Sequence, residues 1–284
     1  MSDTTLLVLA AVAAGAIASV SGFGIGSILT PLLAAGMGTK LAVVIVAIPH
    51  FVGTALRFAL VRQHVDKRVL LTFGVTSALG GLAGALLHVW LRGAILSYLL
   101  GSLLVFAGVM GLTGRAERMR FGRTSGQIAG ALSGVFGGLV GNQGGIRSAA
   151  LLGFEVSKES FVATATAIGL IVDLFRLPVY AATAYQDIAA EWRLILLATA
   201  GVVAGTLAGK PLLQRIPQRV YRAIVSLIIL ALGISMFIIP SEARDLRGDT
   251  APPLQTEGTL ALAREHRGLS GSPLTFSVPL CLGG

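Results

Sequence analysis

One cysteine, Cys281, among 284 residues leaves no partner for an intramolecular disulfide and no thiolate cluster for a metal. Charge is almost as scarce. Asp, Glu, Lys and Arg together make up 12% of the chain, against roughly 25% in a soluble domain. The sequence also lacks HExxH, G-x-S-x-G, any Cys–His cluster and a Walker loop. These absences point away from an enzyme, a metal, a cofactor and ATP-driven work by this chain alone. The net charge of +9 would suit nucleic acid. However, most of the basic residues stand in short loops between apolar runs, the pattern of an inner-membrane protein, so no nucleic-acid partner is expected.

What the chain does have is hydrophobic length, 54% of it apolar. Leu41 to Val61 and Val220 to Ile239 each approach the ~20 residues that cross a ~30 Å hydrocarbon core. The runs are continuous rather than alternating with period two, which excludes an outer-membrane barrel. The expected fold is an all-α polytopic membrane protein in the bacterial inner membrane, with its basic loops cytoplasmic. The start, "MSDTTLLVLAAVAAGAIASV", has no basic n-region and reads as retained membrane helix. The bilayer and a small solute are the expected partners, and a homo-oligomer is compatible with the composition.

Two apolar segments are broken. "SGFGIGSILTP" puts Gly22, Gly24 and Gly26 within five residues, beside Ser27 and ahead of Pro31. "GNQGG" puts Asn142, Gln143, Gly144 and Gly145 just before Arg147. Each interior Gly costs a helix up to about 1 kcal/mol relative to Ala, so the breaks need a reason. Backbone freed at membrane depth is tolerated only where it is buried in protein or lines a wet cavity. A half-helix N-terminus there offers N–H donors and partial positive charge, which suits an anion. Ile28 and Ile146 are the expected starts of the two half-helices. Gly80, Gly81 and Gly84 carry no polar companions and read as packing positions.

A shift of 119 positions lays Gly22 on Gly141, Gly26 on Gly145, Leu32 on Leu151, Leu33 on Leu152 and Arg57 on Arg176 without a gap. The expected organisation is a first repeat over 5–112, a basic linker over 113–126, a second repeat over 127–239 and a disordered tail over 240–284. Interrupted helices at matching places in two halves point to a transporter binding site. Each broken segment, about 30 residues, is too long for one straight span and too short for two. It is therefore either one discontinuous spanning helix or a re-entrant hairpin. With two hairpins, twelve basic residues, including Arg62, Arg68, Lys158 and Arg222, fall on one side, and, leaving out the tail, only Lys40, Arg92 and Arg193 face the other. The positive-inside rule favours that arrangement, a hairpin plus three spanning helices in each half, with the halves inverted.

The stretches "SVSGFGIGSILTPLLAAGM", "GVFGGLVGNQGGIRSAALL", "GTALRFALV" and "LIVDLFRLPVY" resemble the sulfite exporter TauE/SafE family over residues 5 to 239. The resemblance implies about eight spanning segments in two related halves and transport of small anions such as sulfite or sulfoacetate. "NQGG" departs from the more Gly-rich or Ser-containing break of many relatives, and the tail after Ile239 lies outside the pattern.

The candidate substrate ligands are Gly22, Gly24, Gly26, Ser27, Asn142, Gln143, Gly144, Gly145, Arg147, Arg57 and Arg176. An Arg inside an apolar hairpin costs at least ~2.5 kcal/mol, and its five-donor fork suits sulfite, sulfonate or carboxylate oxygens. Arg147 is the sharpest of these; its alternatives are snorkelling or a structural pair with Asp173. Arg57 and Arg176 would lie on opposite sides of the midplane, with snorkelling the alternative for Arg57 and an i−3 pair with Asp173 the alternative for Arg176. His50 and Asp173 are the candidates for carrying a coupling proton, against packing and structural pairing. Thr30, Thr164 and Thr166 are weaker candidates. The expected function is secondary transport or export of sulfite or organosulfonates. An anion channel or a permease for small carboxylates is the alternative, and a non-transporting scaffold is disfavoured by the intramembrane charges.

Overall fold

A computed structural model describes residues 3–114, 123–142, 144–152, 157–213 and 217–238. The centre of the basic linker, Gln143 and the tail after Ile238 lie outside the described residues. Those residues form helices only, with no strand among them. The first half runs α1 (Asp3–Ser21), α2 (Ile25–Met37), α3 (Thr39–Val61), α4 (Lys67–Val69), α5 (Val75–Trp90) and α6 (Gly93–Thr113). The second runs α7 (Arg123–Val140), α8 (Gly144–Leu152), α9 (Lys158–Thr183), α10 (Tyr185–Ala190), α11 (Trp192–Leu213) and α12 (Gln218–Ile238). A π-helical stretch, Leu70–Gly74, joins α4 to α5. Among the described residues seven helices are long and apolar enough to cross a membrane.

The first of the seven is Thr4–Ser21, the leading limb of the first broken segment. That limb is a full span in length, more than a share in a single interrupted helix requires. The half-helices also begin earlier than the hydropathy suggested, at Ile25 rather than Ile28 and at Gly144 rather than Ile146. In each half a glycine with positive φ ends the leading helix, Gly22 at +79° and Gly141 at +70°. The left-handed region is open to Gly at little steric cost, so the chain turns there and re-enters the helical region within three residues.

Glycine seams set the helix directions. Gly15 on α1 sits against Val202 and Thr206 of α11, and Gly201, Gly205 and Gly209 of α11 sit against Ala11, Val12 and Ala16 in turn. The numbers rise together, so α1 and α11 run parallel. The same holds for α5 and α7, where Gly80 and Gly84 meet Ala131 and Val135, and Gly134 meets Ser77. The packing role expected for Gly80, Gly81 and Gly84 is what they have; Gly81 faces Val172. In contrast, α6 and α12 run antiparallel, with Gly101 on Met236 and Gly108 on Leu230. So do α3 and α9, where His50 faces Asp173 and Arg57 faces Thr166.

The helix ends are tied by hydrogen bonds. Ser160 Oγ donates to His64 O at 2.7 Å, and Asp66 N donates to Thr164 Oγ1 at 2.9 Å. The start of α9 therefore lies at the same end of the bundle as the loop after α3. At the other end, Lys40 Nζ donates to Val89 O at 2.9 Å. Trp90, Tyr185 and Trp192, all exposed, stand at that end, where aromatic rings meet a membrane interface. The exposed Leu and Ile residues of the other helices present apolar surface suited to lipid.

Candidate functional site

The two breaks come together between α3 and α9. The α-carbon of Gly26 faces Gly141 O so closely that no side chain fits between them. Ser27 Oγ donates to Asn142 Oδ1 at 3.1 Å, a buried bond joining one break to the other. Gly144, the first residue of α8, abuts Phe23. Of the remaining break glycines, Gly24 turns back onto Ile17 of its own segment.

A helix end leaves four carbonyls without intrahelical partners, and inside a membrane no bulk water supplies them. Here Gly22 N and Gly141 N bond Ala18 O and Gly137 O at 3.0 and 3.1 Å, and side chains add to these bonds or serve the carbonyls beyond them. Arg57 Nη1 donates to Ala18 O at 2.7 Å and Nη2 to Gly22 O at 3.2 Å. Its Nε donates to Thr166 Oγ1 at 2.8 Å, while that hydroxyl donates to Val162 O. Arg176 Nη1 donates to Gly137 O at 2.8 Å at the matching end of α7. A guanidinium at a helix C-terminus also meets the negative end of the helix dipole. Three further caps were not legible in the sequence. Tyr221 Oη donates to Ile17 O at 3.0 Å, His88 Nδ1 to Leu139 O at 2.7 Å, and Tyr180 Oη to Gly138 O. Only knowledge of which helix each side chain faces would have found them.

Charges divide into two groups. Asp173, fully buried, holds His50 Nδ1 at 2.7 Å through Oδ2 and Arg176 Nη2 at 2.8 Å through Oδ1. The i−3 pair expected of Arg176 is present, and His50 joins it across the helix crossing. Arg147 does not pair with Asp173. Its Nη2 donates to Gly22 O at 3.4 Å, and Nε and Nη1 have no protein partner among the described residues. Gly22 O thus accepts from both Arg57 and Arg147. Neither arginine snorkels, since Arg57 is 3% exposed and Arg147 1%. Among the described residues neither meets a carboxylate. Thr30 is buried beside Gly141, whereas Thr164 serves the chain before α4 at the bundle end and takes no part in the cluster. No group of three or more His, Cys, Asp or Glu that would hold a metal occurs among the described residues.

Chemically, the cluster presents cationic donors and hydroxyls at the meeting point of two half-helix N-termini. The model of a family described as "Sulfite exporter TauE/SafE" matches residues 7–236 of the chain. No curated protein and no solved structure matches it.

Proposed function

The chain belongs to the sulfite exporter TauE/SafE family, and from that membership we propose that it is a secondary transporter that exports sulfite or small organosulfonates through the site where its helix breaks meet. The observation that carries the proposal is the convergence of Arg57 and Arg147 on one carbonyl, Gly22 O, with no carboxylate beside them. The buried set Arg57, Arg147, Arg176 and Asp173 has two positive charges in excess, with the histidines neutral. Each uncompensated Arg at membrane depth costs about 2.5 kcal/mol or more, and an anion between the breaks offsets that cost. The N-termini of α2 and α8 add N–H donors, with Ser27, Asn142, Gly144 and Gly145 at their edges.

In this reading the two halves are inverted repeats, and each broken segment is a hairpin that returns to the face it entered. Support comes from the antiparallel pairs α3–α9 and α6–α12, from the parallel pairs α1–α11 and α7–α5, and from the shared bundle end of His64 and Ser160. The basic loops are then cytoplasmic in a bacterial inner membrane. Uptake into proteoliposomes tests the proposal, with sulfite, sulfoacetate, sulfate and small carboxylates as solutes. Saturable flux with counter-transport is expected for sulfite or sulfoacetate. A unitary conductance of many ions per opening would make the protein a channel instead, and no flux of any of these anions would overturn the reading.

A further inference from the structure

One buried titratable pair has no part in the anion reading so far. Asp173 is fully buried, and His50 Nδ1 lies 2.7 Å from its Oδ2. The same carboxylate meets Arg176 Nη2 at 2.8 Å, so it is ionised and can only accept. In the neutral ring the proton of His50 is therefore on Nδ1, and Nε2 carries the lone pair. Among the described residues no protein group meets Nε2. The side chain of His50 keeps 8% exposure, where that of Asp173 has none. A side chain begun at Gly26 would stand against Gly141 O and 3.9 Å from His50 Cδ2, the ring carbon bonded to Nε2. That edge of the imidazole thus borders the place where the two breaks meet.

Packing does not require this pair. The 119-residue shift carries His50 onto Gly169 and Thr54 onto Asp173, and Thr54 Cγ2 is 3.6 Å from a Cβ begun at Gly169. The matching place of the same crossing closes with a glycine and a threonine methyl. An ionisable pair at membrane depth is costly and a poor source of stability, so its presence points to a function. The charged groups acting on His50 are Asp173 and Arg176 of α9 and Arg57 of its own helix. The half-helix α2, which meets it at Gly26, has no charged residue. Helix α11 meets α3 at Gly53 through Val202 and Thr206, and Arg147 of α8 stands with Arg57 at Gly22 O.

We infer that His50 Nε2 takes up one proton with each anion, and that proton and anion cross the membrane together. The inference rests on the anion-transport reading above. With Nε2 bare, the ring offers an anion at the junction only a lone pair. With Nε2 protonated, it offers a donor and a full positive charge. Without an anion, that proton would raise the buried excess from two positive charges to three. Each ligand therefore favours the other, and by linkage the gain in affinity is the same in both directions. The proton comes from water on the side where the anion enters and returns to water where the anion leaves. No bond within the protein is made or broken apart from that N–H.

The test uses the full chain in proteoliposomes with an entrapped pH dye, the potential being clamped by potassium and valinomycin. The solute is sulfoacetate, whose acid groups are both ionised at neutral pH, so it brings no proton of its own. Its entry should acidify the lumen in wild type. Its affinity, read by thermal shift in detergent, should fall by up to about tenfold per unit rise in pH, the limit for one proton per anion. His50→Gln is neutral at every pH and keeps a donor for Asp173, so its affinity should not vary with pH. Sulfoacetate entry without acidification in wild type overturns the inference, as does a His50→Gln protein that keeps the wild-type pH dependence. If His50→Gln does not fold or does not bind, the ring-nitrogen NMR signals of the wild-type histidines decide. Adding the anion at constant pH should turn one neutral imidazole into imidazolium, and His64→Gln and His88→Gln should leave that change in place; no such change overturns the inference. If sulfite is carried and sulfoacetate is not, the affinity and the ring signals are read with sulfite. Flux without a linked proton overturns this inference alone, whereas wild type that takes up no anion overturns the transport reading, and this inference with it.

Discussion

Arg57 and Arg176, 119 residues apart, donate to Ala18 O and Gly137 O, which are also 119 residues apart. The same side chain at the same offset closes the same end of the same helix in each half. What differs is the company. Arg176 has Asp173 at 2.8 Å, whereas Arg57 has Thr166 and carbonyls. The two arginines therefore answer differently to removal.

Arg176→Ala strands Asp173 with only His50, and Gly137 O keeps only Gly141 N. Breaking a buried ion pair from one side costs about 3–5 kcal/mol, so a marked fall in Tm in detergent is expected. Arg57→Ala relieves about 2.5 kcal/mol or more of charge burial but loses three hydrogen bonds, to Ala18 O, Gly22 O and Thr166 Oγ1, worth about 0.5–1.5 kcal/mol each. These nearly cancel. We expect a Tm close to wild type and loss of anion transport; equal destabilisation by the two substitutions would contradict this division.

Arg147→Ala should leave the fold intact, because Asp173 is held by His50 and Arg176 without it. Anion affinity, measured by ligand-dependent thermal shift with sulfite, should fall from wild type to Arg147→Lys to Arg147→Ala, by roughly 1 kcal/mol or more at each step. Lysine keeps the charge and loses the fork. Equal affinities for the Lys variant and wild type would remove the geometric part of this argument.

Gly26→Ala should abolish transport in protein that still inserts, since any Cβ there collides with Gly141 O across the junction of the breaks. Gly36 supplies the control. A Cβ at Gly36 meets nothing within 4 Å, and Gly36→Ala should stabilise α2 by about 0.5–1 kcal/mol with uptake unchanged. Normal uptake by the Gly26 variant would show that the breaks need not touch.

Labelling of single cysteines in a Cys281→Ser background reads the topology. Lys40→Cys should react from the periplasmic side and Lys158→Cys from the cytoplasmic side, together with Arg68→Cys. Reaction of positions 40 and 158 from the same side would exclude inverted hairpins. A tail exposed to the periplasm follows from the same arrangement, and a protease site placed after Ile239 checks it.

Much of the helical architecture was legible because hydropathy and glycine act locally. Long apolar runs give spans, and Gly22 and Gly141 mark the turns wherever the rest of the chain lies. The starts of α2 and α8 were misplaced because hydropathy records where apolar side chains resume. A helix restarts instead where the backbone regains its dihedrals, at Ile25 and Gly144. The capping roles of His88, Tyr180 and Tyr221 depend on which helices are neighbours, and α5–α7 and α1–α11 pair across the halves. The partners of Asp173 show the same limit. Spacing along one helix exposed Arg176, three residues on, but His50 lies 123 positions away and becomes a partner only when α3 crosses α9.

Gly38 is the only residue between α2 and α3. Thr39, next to it, is buried, with its Oγ1 2.6 Å from Ser97 Oγ of α6. The half-helix is therefore clamped at its C-terminal end as a cantilever is clamped in a wall, thirteen residues or about 20 Å long. Its opposite tip, Ile25, Gly26 and Ser27, follows the strip Gly22–Gly24 and bears on Gly141 and Asn142 of the second break. A beam held in this way turns a small rotation at its root into its largest displacement at the tip. A slight tilt of α3 against α6 is thus magnified where Gly26 meets Gly141, and very little at the bundle end where Gly38 sits.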